Sequence, residues 1–144
     1  MKTAIQNSLG WAAGLLLAAV CAAAVASPFV GSPSKPHAVL YLNVNETARQ
    51  IWPVEIWAVD GRLTNRSDQG VLWIKPGKYT FRVRVSRSVN LADLPGLQRS
   101  TRYGQAEHEL KVSVAAGKAY YIGAKFQAAG KWQPVVWKIA KARY

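Results

Sequence analysis

The chain is 144 residues long, with 50% hydrophobic and 18% charged residues and a formal net charge of +12 at pH 7. This length supports one domain, and the apolar content excludes a disordered acidic tail and a collagen-like chain. A single cysteine excludes an intramolecular disulfide, a zinc finger and an iron–sulfur site, and two histidines argue against a multi-histidine metal centre. The sequence therefore predicts no metal and no cofactor.

The first 26 residues have the pattern of a secretory signal peptide. Lys2 precedes a strongly apolar stretch over residues 9–26, which ends in Ala24-Val25-Ala26. A positive start, an apolar centre and a small-x-small cleavage site are the three parts of such a peptide. We expect cleavage after Ala26, which leaves 144 − 26 = 118 residues. The alanine-rich signal is typical of bacteria, so we expect the protein in the periplasm or outside the cell.

Two alternatives remain open for this segment. It could stay as a membrane anchor, although its apolar stretch is at the short limit of the roughly 20 residues needed to span a bilayer. Cys21 could instead carry a lipid, although residues 18–20 before it lack the leucine and the small final residue that a lipoprotein signal prefers.

The rest of the chain shows the alternation of apolar and polar residues that is typical of β-strands. Residues 27–36 contain three prolines and a glycine, which predicts an extended lead-in before a single domain over residues 37–144. Strands separated by turn signals predict an all-β fold, an antiparallel β-sandwich of about seven strands and immunoglobulin-like size. The predicted strands cover residues 37–44, 51–59, 70–75, 78–87, 106–114, 118–127 and 131–139.

Turn residues and prolines refine this prediction. Pro76-Gly77, Ala116-Gly117 and Asp60-Gly61 are turn signals, because glycine tolerates the positive φ that many turns require. Pro53 and Pro134 interrupt the second and seventh predicted strands, which indicates that these segments are edge strands or carry bulges. Assembly of the protein through such unpaired edges is one interpretation.

The fourth and fifth predicted strands each place their charges on one face. Arg82 and Arg84 alternate with apolar residues, and Glu107 and Glu109 do the same in the next strand. If the two strands pair, arginines meet glutamates across the ladder, with about 0.2–1 kcal/mol for each pair. The arginine stripe is then either a solvated, salt-bridged face or part of a binding surface, and Arg82 and Arg84 are candidate binding residues.

Residues 58–62 (AVDGR) and 71–83 (VLWIKPGKYTFRV) resemble the small all-β PEGA-like domains of bacterial envelope proteins. In those domains a strand presents a Val-Asp-Gly turn, and a later Pro-Gly turn precedes an alternating strand. Residues 114–121 (VAAGKAYY) are similar to a second strand–turn–strand of related periplasmic proteins. The chain lacks the Pro-Glu-Gly-Ala tetrapeptide and carries a longer insertion at 88–105. The resemblance implies an all-β fold and a binding or structural role in the envelope, with no catalytic residue.

No arrangement of residues typical of an enzyme is present in the sequence. Gly-x-Ser-x-Gly does not occur, and His108 lies on the apolar side of its predicted strand. Arginines near Glu107 and Glu109 hold both carboxylates ionised, which does not suit the general acid of a glycosidase. We predict no catalytic residue. The alternative is a carbohydrate-binding or hydrolytic domain that uses exposed tryptophans and these paired glutamates.

Five tryptophans follow the signal segment, and a row of exposed indoles would indicate carbohydrate stacking. Trp57 and Trp73 lie within alternating strands, which favours positions in a sandwich core. The position of Trp132, next to a predicted turn, stays open.

The basic charge is the strongest functional clue. After cleavage, 19 − 1 = 18 basic residues face seven acidic ones, a net charge of +11 that attracts polyanions. In an exported protein the expected partner is an anionic envelope polymer, a lipid surface or an acidic protein, and no physiological nucleic acid is expected. The loop over residues 88–105 is long for a hairpin connection and contains Arg99, Arg102 and Tyr103, residue types that are favoured in binding hot spots. Alternatively, its leucines cap one end of the sandwich.

Overall fold

The computed structural model describes residues 29–32, 34–64, 70–90, 106–127 and 131–143. Within these ranges, nine strands and one short 3₁₀ helix form two sheets packed as a β-sandwich, which confirms the all-β prediction. No helix in the described ranges is long and apolar enough to cross a membrane. The predicted signal segment, with its cleavage site and Cys21, lies outside the described residues. The elements are β1 Ala38–Tyr41, the 3₁₀ helix Thr47–Arg49, β2 Ile51–Trp52, β3 Val54–Val59, β4 Arg62–Leu63, β5 Val71–Ile74, β6 Gly77–Val85, β7 His108–Val114, β8 Lys118–Phe126 and β9 Trp132–Lys141.

The first sheet, sheet A, is built around β8. β9 pairs antiparallel with β8 along its whole length, whereas β1 and β2 pair with successive parts of β8 and β5 pairs with β1. β1 runs parallel to β8, with Tyr41 opposite Tyr121, so sheet A is mixed. This differs from the antiparallel sandwich expected from the sequence, because alternation within a strand does not reveal the direction of a partner that is remote along the chain.

The second sheet, sheet B, is antiparallel and has the strand order β4-β3-β6-β7. Its first two strands in the chain, β3 and β4, form a hairpin around Asp60-Gly61. Asp60 and Gly61 have φ values of 48° and 77°, the positive pair that a type I′ turn requires. The predicted turn at this position is therefore confirmed.

Pro53 divides the single strand expected over residues 51–59 into two. β2 joins sheet A and β3 joins sheet B, so the chain changes sheets at the proline. Proline has no N–H to donate to a ladder. The neighbouring groups are nevertheless bonded, since the Val54 N–H donates to the Leu42 carbonyl at 3.0 Å and the Ser86 N–H donates to the Pro53 carbonyl at 3.0 Å. This division and the short β4 account for two strands more than the seven expected.

The core lies between the inner faces of the two sheets. In β6, Phe81 and Val83 point inward and Arg82 points outward, as the alternation predicted. Phe29, from the predicted lead-in, is only 5% exposed and belongs to the same core. The backbone at Phe29 is hydrogen-bonded beside the end of β5, because the Lys75 N–H donates to the Phe29 carbonyl at 3.0 Å. The largest fully buried side chains are Phe81, Phe126, Leu40, Leu42, Ile56, Ile74, Ile122, Val54, Val59 and Val83.

Two strands carry an irregularity of register, each at a tryptophan. In β3 the extra residue is Trp57. In β9 it is Trp137, because the partners of Val136 and Lys138 are adjacent residues of β8. An extra residue interrupts the alternation of faces and re-aims a side chain. Trp137 and Lys138 therefore both lie on the outer face of sheet A, although they are neighbours in sequence. The edge or bulge expected from Pro134 is present in β9, three residues after the proline.

The tryptophan positions correct two expectations, because neither Trp57 nor Trp73 lies in the core. Trp73 is 43% exposed, whereas a core position was expected. β5 is apolar at every position, so the alternation could not choose a face, and the core takes Leu72 and Ile74 instead. Trp132 is 6% exposed and packs in the core beside Phe126. Trp57 is half-buried on the outer face of sheet B.

Candidate ligand-binding surface

Arg84, a predicted binding residue, is held in a structural cluster on the outer face of sheet B. Its Nε donates to Glu55 Oε2 at 3.0 Å, and its Nη2 also lies 3.0 Å from that oxygen. The guanidinium carbon lies 4.2 Å from the centre of the Trp57 ring, within cation–π distance. The Arg84 guanidinium therefore makes both its ion pair, with Glu55, and its ring contact, with Trp57, inside the protein.

Glu55 organises this cluster. Its Oε1 accepts the Arg87 backbone N–H at 3.0 Å, and the Arg87 Nε lies 3.7 Å from its Oε2. Burial raises the pKa of Glu55, but the hydrogen bonds from the Arg87 backbone and the Arg84 side chain, with the charges of both arginines, outweigh it and hold that pKa below its usual value. The carboxylate is therefore ionised at neutral pH, which suits an anchor for arginines and not a proton donor.

Arg82, the second predicted binding residue on this face, is 54% exposed. Its Nη1 lies 3.9 Å from Glu107 Oε2, and Glu109 is its register partner in β7. The arginine stripe of sheet B is therefore accompanied by acidic residues, as the sequence suggested for Arg82. Arg84 instead finds its acid on β3. The predicted binding residues Arg99, Arg102 and Tyr103 lie outside the described residues.

Sheet A has the opposite distribution of charge. Over the described residues, its five strands contain four lysines and no acidic residue. Lys125 and Lys138 lie on its outer face, and Arg49 adds a cation from the 3₁₀ helix before β2. The ion pairs within the described ranges involve Arg82, Arg84 and Arg87, and none involves these three cations. Among the described residues, these three cations of the outer face of sheet A are therefore without an ion-pair partner.

Three aromatic side chains, Tyr41, Tyr121 and Trp137, form a row across the outer face of sheet A. The two tyrosine rings are stacked with centres 5.0 Å apart, a contact that results from the parallel pairing of β1 with β8. The Trp137 ring lies 5.4 Å from the Tyr121 ring. Lys138 Nζ lies 5.0 Å from the centre of the Tyr121 ring, and Arg49 Cζ lies 5.8 Å from that of Trp137. Two of the three rings of this aromatic row therefore each have a cation over them.

A cleft of about 470 Å³ opens beside Trp137. Gly123 allows its walls to approach, because a Cβ at this position would overlap Ile51 Cγ2 and lie 3.5 Å from Trp137 Cδ1. The cleft combines an indole and aliphatic side chains with two cations, and its volume falls within the roughly 300–1,000 Å³ typical of small-ligand sites. The residues that line it are Arg49, Ile51, Lys125, Val135, Val136 and Trp137.

This surface was not predicted from the sequence. Arg49, Lys125 and Trp137 come from three separate elements, and the bulge at Trp137 breaks the alternation on which strand faces were assigned. One signal was available: the predicted strands at 118–127 and 131–139 contain lysines and no acidic residue. Among the described residues, no group of three or more His, Cys, Asp or Glu side chains is arranged to hold a metal ion.

The described architecture, all-β with two sheets, agrees with the PEGA-like resemblance at the level of fold class alone. No protein-family model, no curated protein and no solved structure matches this chain.

Proposed function

We propose that this chain is an exported, non-catalytic binding module of the bacterial cell envelope, and that the outer face of sheet A engages an anionic envelope component. The observation that carries this proposal is the unequal compensation of charge between the two sheets. Arginines on sheet B are paired with Glu55 and Glu107, whereas Arg49, Lys125 and Lys138 on the other face have no acidic partner among the described residues.

Uncompensated cations attract anionic polymers and raise their rate of association. The aromatic row adds contact area of a kind that is enriched in binding hot spots. The net charge of +11 expected after cleavage draws a polyanion toward the protein as a whole, and the outer face of sheet A supplies local contacts. The signal-peptide pattern supports export to the compartment where anionic polymers and lipids of the envelope are found.

A non-catalytic role is supported by the state of the carboxylates on sheet B. Glu55 is ionised and engaged by two arginines, and Glu107 lies beside Arg82 at an exposed position. The pKa of Glu55 is lowered, whereas a general acid needs a raised one. The described contacts of the sheet B carboxylates are therefore those of partners for arginines, which supports binding over a hydrolytic role.

The binding test uses the full chain expressed in bacteria and purified from the exported fraction, where the intact mass also reports whether cleavage follows Ala26. Binding to lipopolysaccharide, peptidoglycan and phosphatidylglycerol vesicles is measured over a salt series. The variant Arg49→Gln/Lys125→Gln is compared with Arg82→Gln/Lys111→Gln, which removes the same charge from sheet B.

We expect saturable binding to at least one of these anionic components, weakening as salt rises. Each cation near an anionic surface contributes about 1 kcal/mol, so the sheet A variant, Arg49→Gln/Lys125→Gln, should bind about 30-fold more weakly than the wild-type protein. The affinity of the sheet B variant, Arg82→Gln/Lys111→Gln, should change little. Absence of saturable binding at low salt, or equal losses in both variants, would contradict the proposal.

The loop over residues 88–105 remains a second proposed contact. The variant Arg99→Ala/Arg102→Ala removes its two arginines. A loss of affinity comparable to that of the sheet A variant would assign part of the binding to this loop, and unchanged affinity would remove the loop from the proposal.

A further inference from the structure

We propose that the cleft beside Trp137 accepts an acidic sugar unit, so that the anionic component bound by this chain is a glycan bearing carboxylates. The inference rests on the proposed function of the sheet A face and adds the class of ligand. It is carried by the combination, in one concavity, of an indole, an aliphatic floor and two cations that form no ion pair with the residues described.

The apolar wall of the cleft fits the ring of a sugar. A pyranose has one face covered by C–H groups, and such a face packs against an aromatic ring. Trp137 is directed onto this surface by the bulge in β9, and Val135 extends its apolar area. Gly123 leaves room for Ile51 beside the indole, because a Cβ at this position would overlap Ile51 Cγ2.

The cations are placed for a carboxylate attached to such a ring. Arg49 Cζ lies 5.8 Å from the centre of the Trp137 ring, and Lys125 lines the same cleft. A guanidinium presents a planar pair of donors that matches a carboxylate. A uronic acid unit can therefore place its ring against Trp137 and its carboxylate toward Arg49 and Lys125.

The surface beside the cleft fits further units of a chain. Tyr121 is next to Trp137, and Tyr41 follows it across the sheet. Tyrosine hydroxyls donate and accept hydrogen bonds, which suits the hydroxyl groups of successive sugars. Lys138 lies over the Tyr121 ring and supplies a further cation. A flat lipid surface, in contrast, would contact protruding side chains, whereas Arg49, Lys125 and Trp137 line a concavity.

The experiment separates ring recognition from charge by using three polymers with the full exported chain. Polygalacturonate provides rings and charge, its fully methyl-esterified form provides rings without charge, and poly-L-glutamate provides charge without rings. Phosphatidylglycerol vesicles form the lipid arm. The variants are Arg49→Gln and Trp137→Leu, with Lys111→Gln and Trp57→Leu as matched controls that remove a charge or a half-buried indole from the outer face of sheet B.

Polygalacturonate should bind about tenfold more tightly than either other polymer, and each cleft variant should weaken it by about tenfold, the size of a lost hydrogen bond to a charged group. The matched controls should change its affinity less than twofold. Because Trp137 is partly buried, circular dichroism accompanies each variant, and the exposed Arg49→Gln provides the decisive comparison if Trp137→Leu does not fold.

Equal binding of poly-L-glutamate and polygalacturonate would overturn the inference and leave the proposed anion-binding function standing. Binding to the vesicles alone would also overturn it and assign the face to a lipid surface. Failure of every anionic probe to bind would contradict both the inference and the proposed function.

Discussion

Replacing Glu55 by glutamine tests whether the outer face of sheet B is held together by a structural cluster. The glutamine keeps the shape of the side chain and one acceptor for the Arg87 backbone N–H. It removes the negative charge that pairs with Arg84. In the variant, the Arg84 guanidinium lies against Trp57 without the counter-charge of Glu55. The variant should therefore be less stable than the wild-type protein.

The magnitude follows from burial and geometry. The Glu55 and Arg84 side chains are 13% and 18% exposed, and two arginine nitrogens lie 3.0 Å from one carboxylate oxygen. Exposed ion pairs contribute about 0–1 kcal/mol, and breaking a fully buried pair costs about 3–5 kcal/mol. This pair is intermediate, so we expect a loss of about 2 kcal/mol, or roughly 8 °C in Tm for a domain of this size.

The matched control is Glu107→Gln, the same substitution on the same sheet. Its partner Arg82 is exposed, and the two charged groups are 3.9 Å apart, so its cost should be about 0.5 kcal/mol or less. Urea unfolding followed by tryptophan fluorescence measures both variants. If Glu55→Gln lies within about 0.5 kcal/mol of Glu107→Gln, the structural interpretation of the cluster is wrong.

Four further outcomes follow from the structure. Because the folded-state pKa of Glu55 lies below its unfolded value, its stabilisation is complete above the unfolded pKa and is lost as pH falls through the folded one. The stability difference between wild type and Glu55→Gln should therefore shrink below about pH 4 in urea titrations, and a constant difference would contradict this. Gly123→Ala should cost about 1–3 kcal/mol and weaken binding at the cleft, because its Cβ overlaps Ile51. A Cβ at Gly61 would meet no atom within 4 Å, but the φ of this residue is 77°. Gly61→Ala should therefore lower the free energy of unfolding by about 1 kcal/mol and leave binding unchanged. Phe29→Ala should cost about 3 kcal/mol in the same unfolding assay, and an unchanged midpoint would exclude Phe29 from the cooperative core.

Local features of the sequence predicted local features of the fold. The alternation around Phe81 and Val83 gave the correct inward face of β6. Asp60-Gly61 indicated a turn because few residues tolerate two consecutive positive φ values. Pro134 indicated an irregular edge because proline cannot donate to a ladder. Each of these effects acts between residues that are close together in the chain, so the resulting feature can be predicted from the sequence alone.

The arrangement of strands depended on contacts that are remote along the chain. The parallel pairing of Tyr41 with Tyr121 joins segments whose patterns carry no information about direction. Pro53 was expected to mark an edge or a bulge, and its role as the point of exchange between sheets requires both partners, β6 and β8, to be in place. Trp73 was placed in the core because its strand is apolar on both faces.

The candidate site was the least predictable part. A single extra residue at Trp137 reverses the alternation for the remainder of β9, so the face of Lys138 could not be read from its spacing. Arg49 lies in a turn that carries no motif, and its proximity to Lys125 arises from the pairing of β2 with β8. The absence of acidic residues from two predicted strands was visible, but its meaning depended on these strands sharing one sheet.

Pro53 also has a mechanical consequence. β2 and β3 are bonded into opposite sheets and are separated by this one residue, which spans about 3.5 Å when extended. One sheet therefore cannot slide over the other by more than a small fraction of a strand without tearing β2 or β3 out of its ladder. A displacement of β2 at Ile51 should therefore be transmitted through Pro53 to Glu55 and its arginines. The sandwich should resist sliding of one sheet over the other.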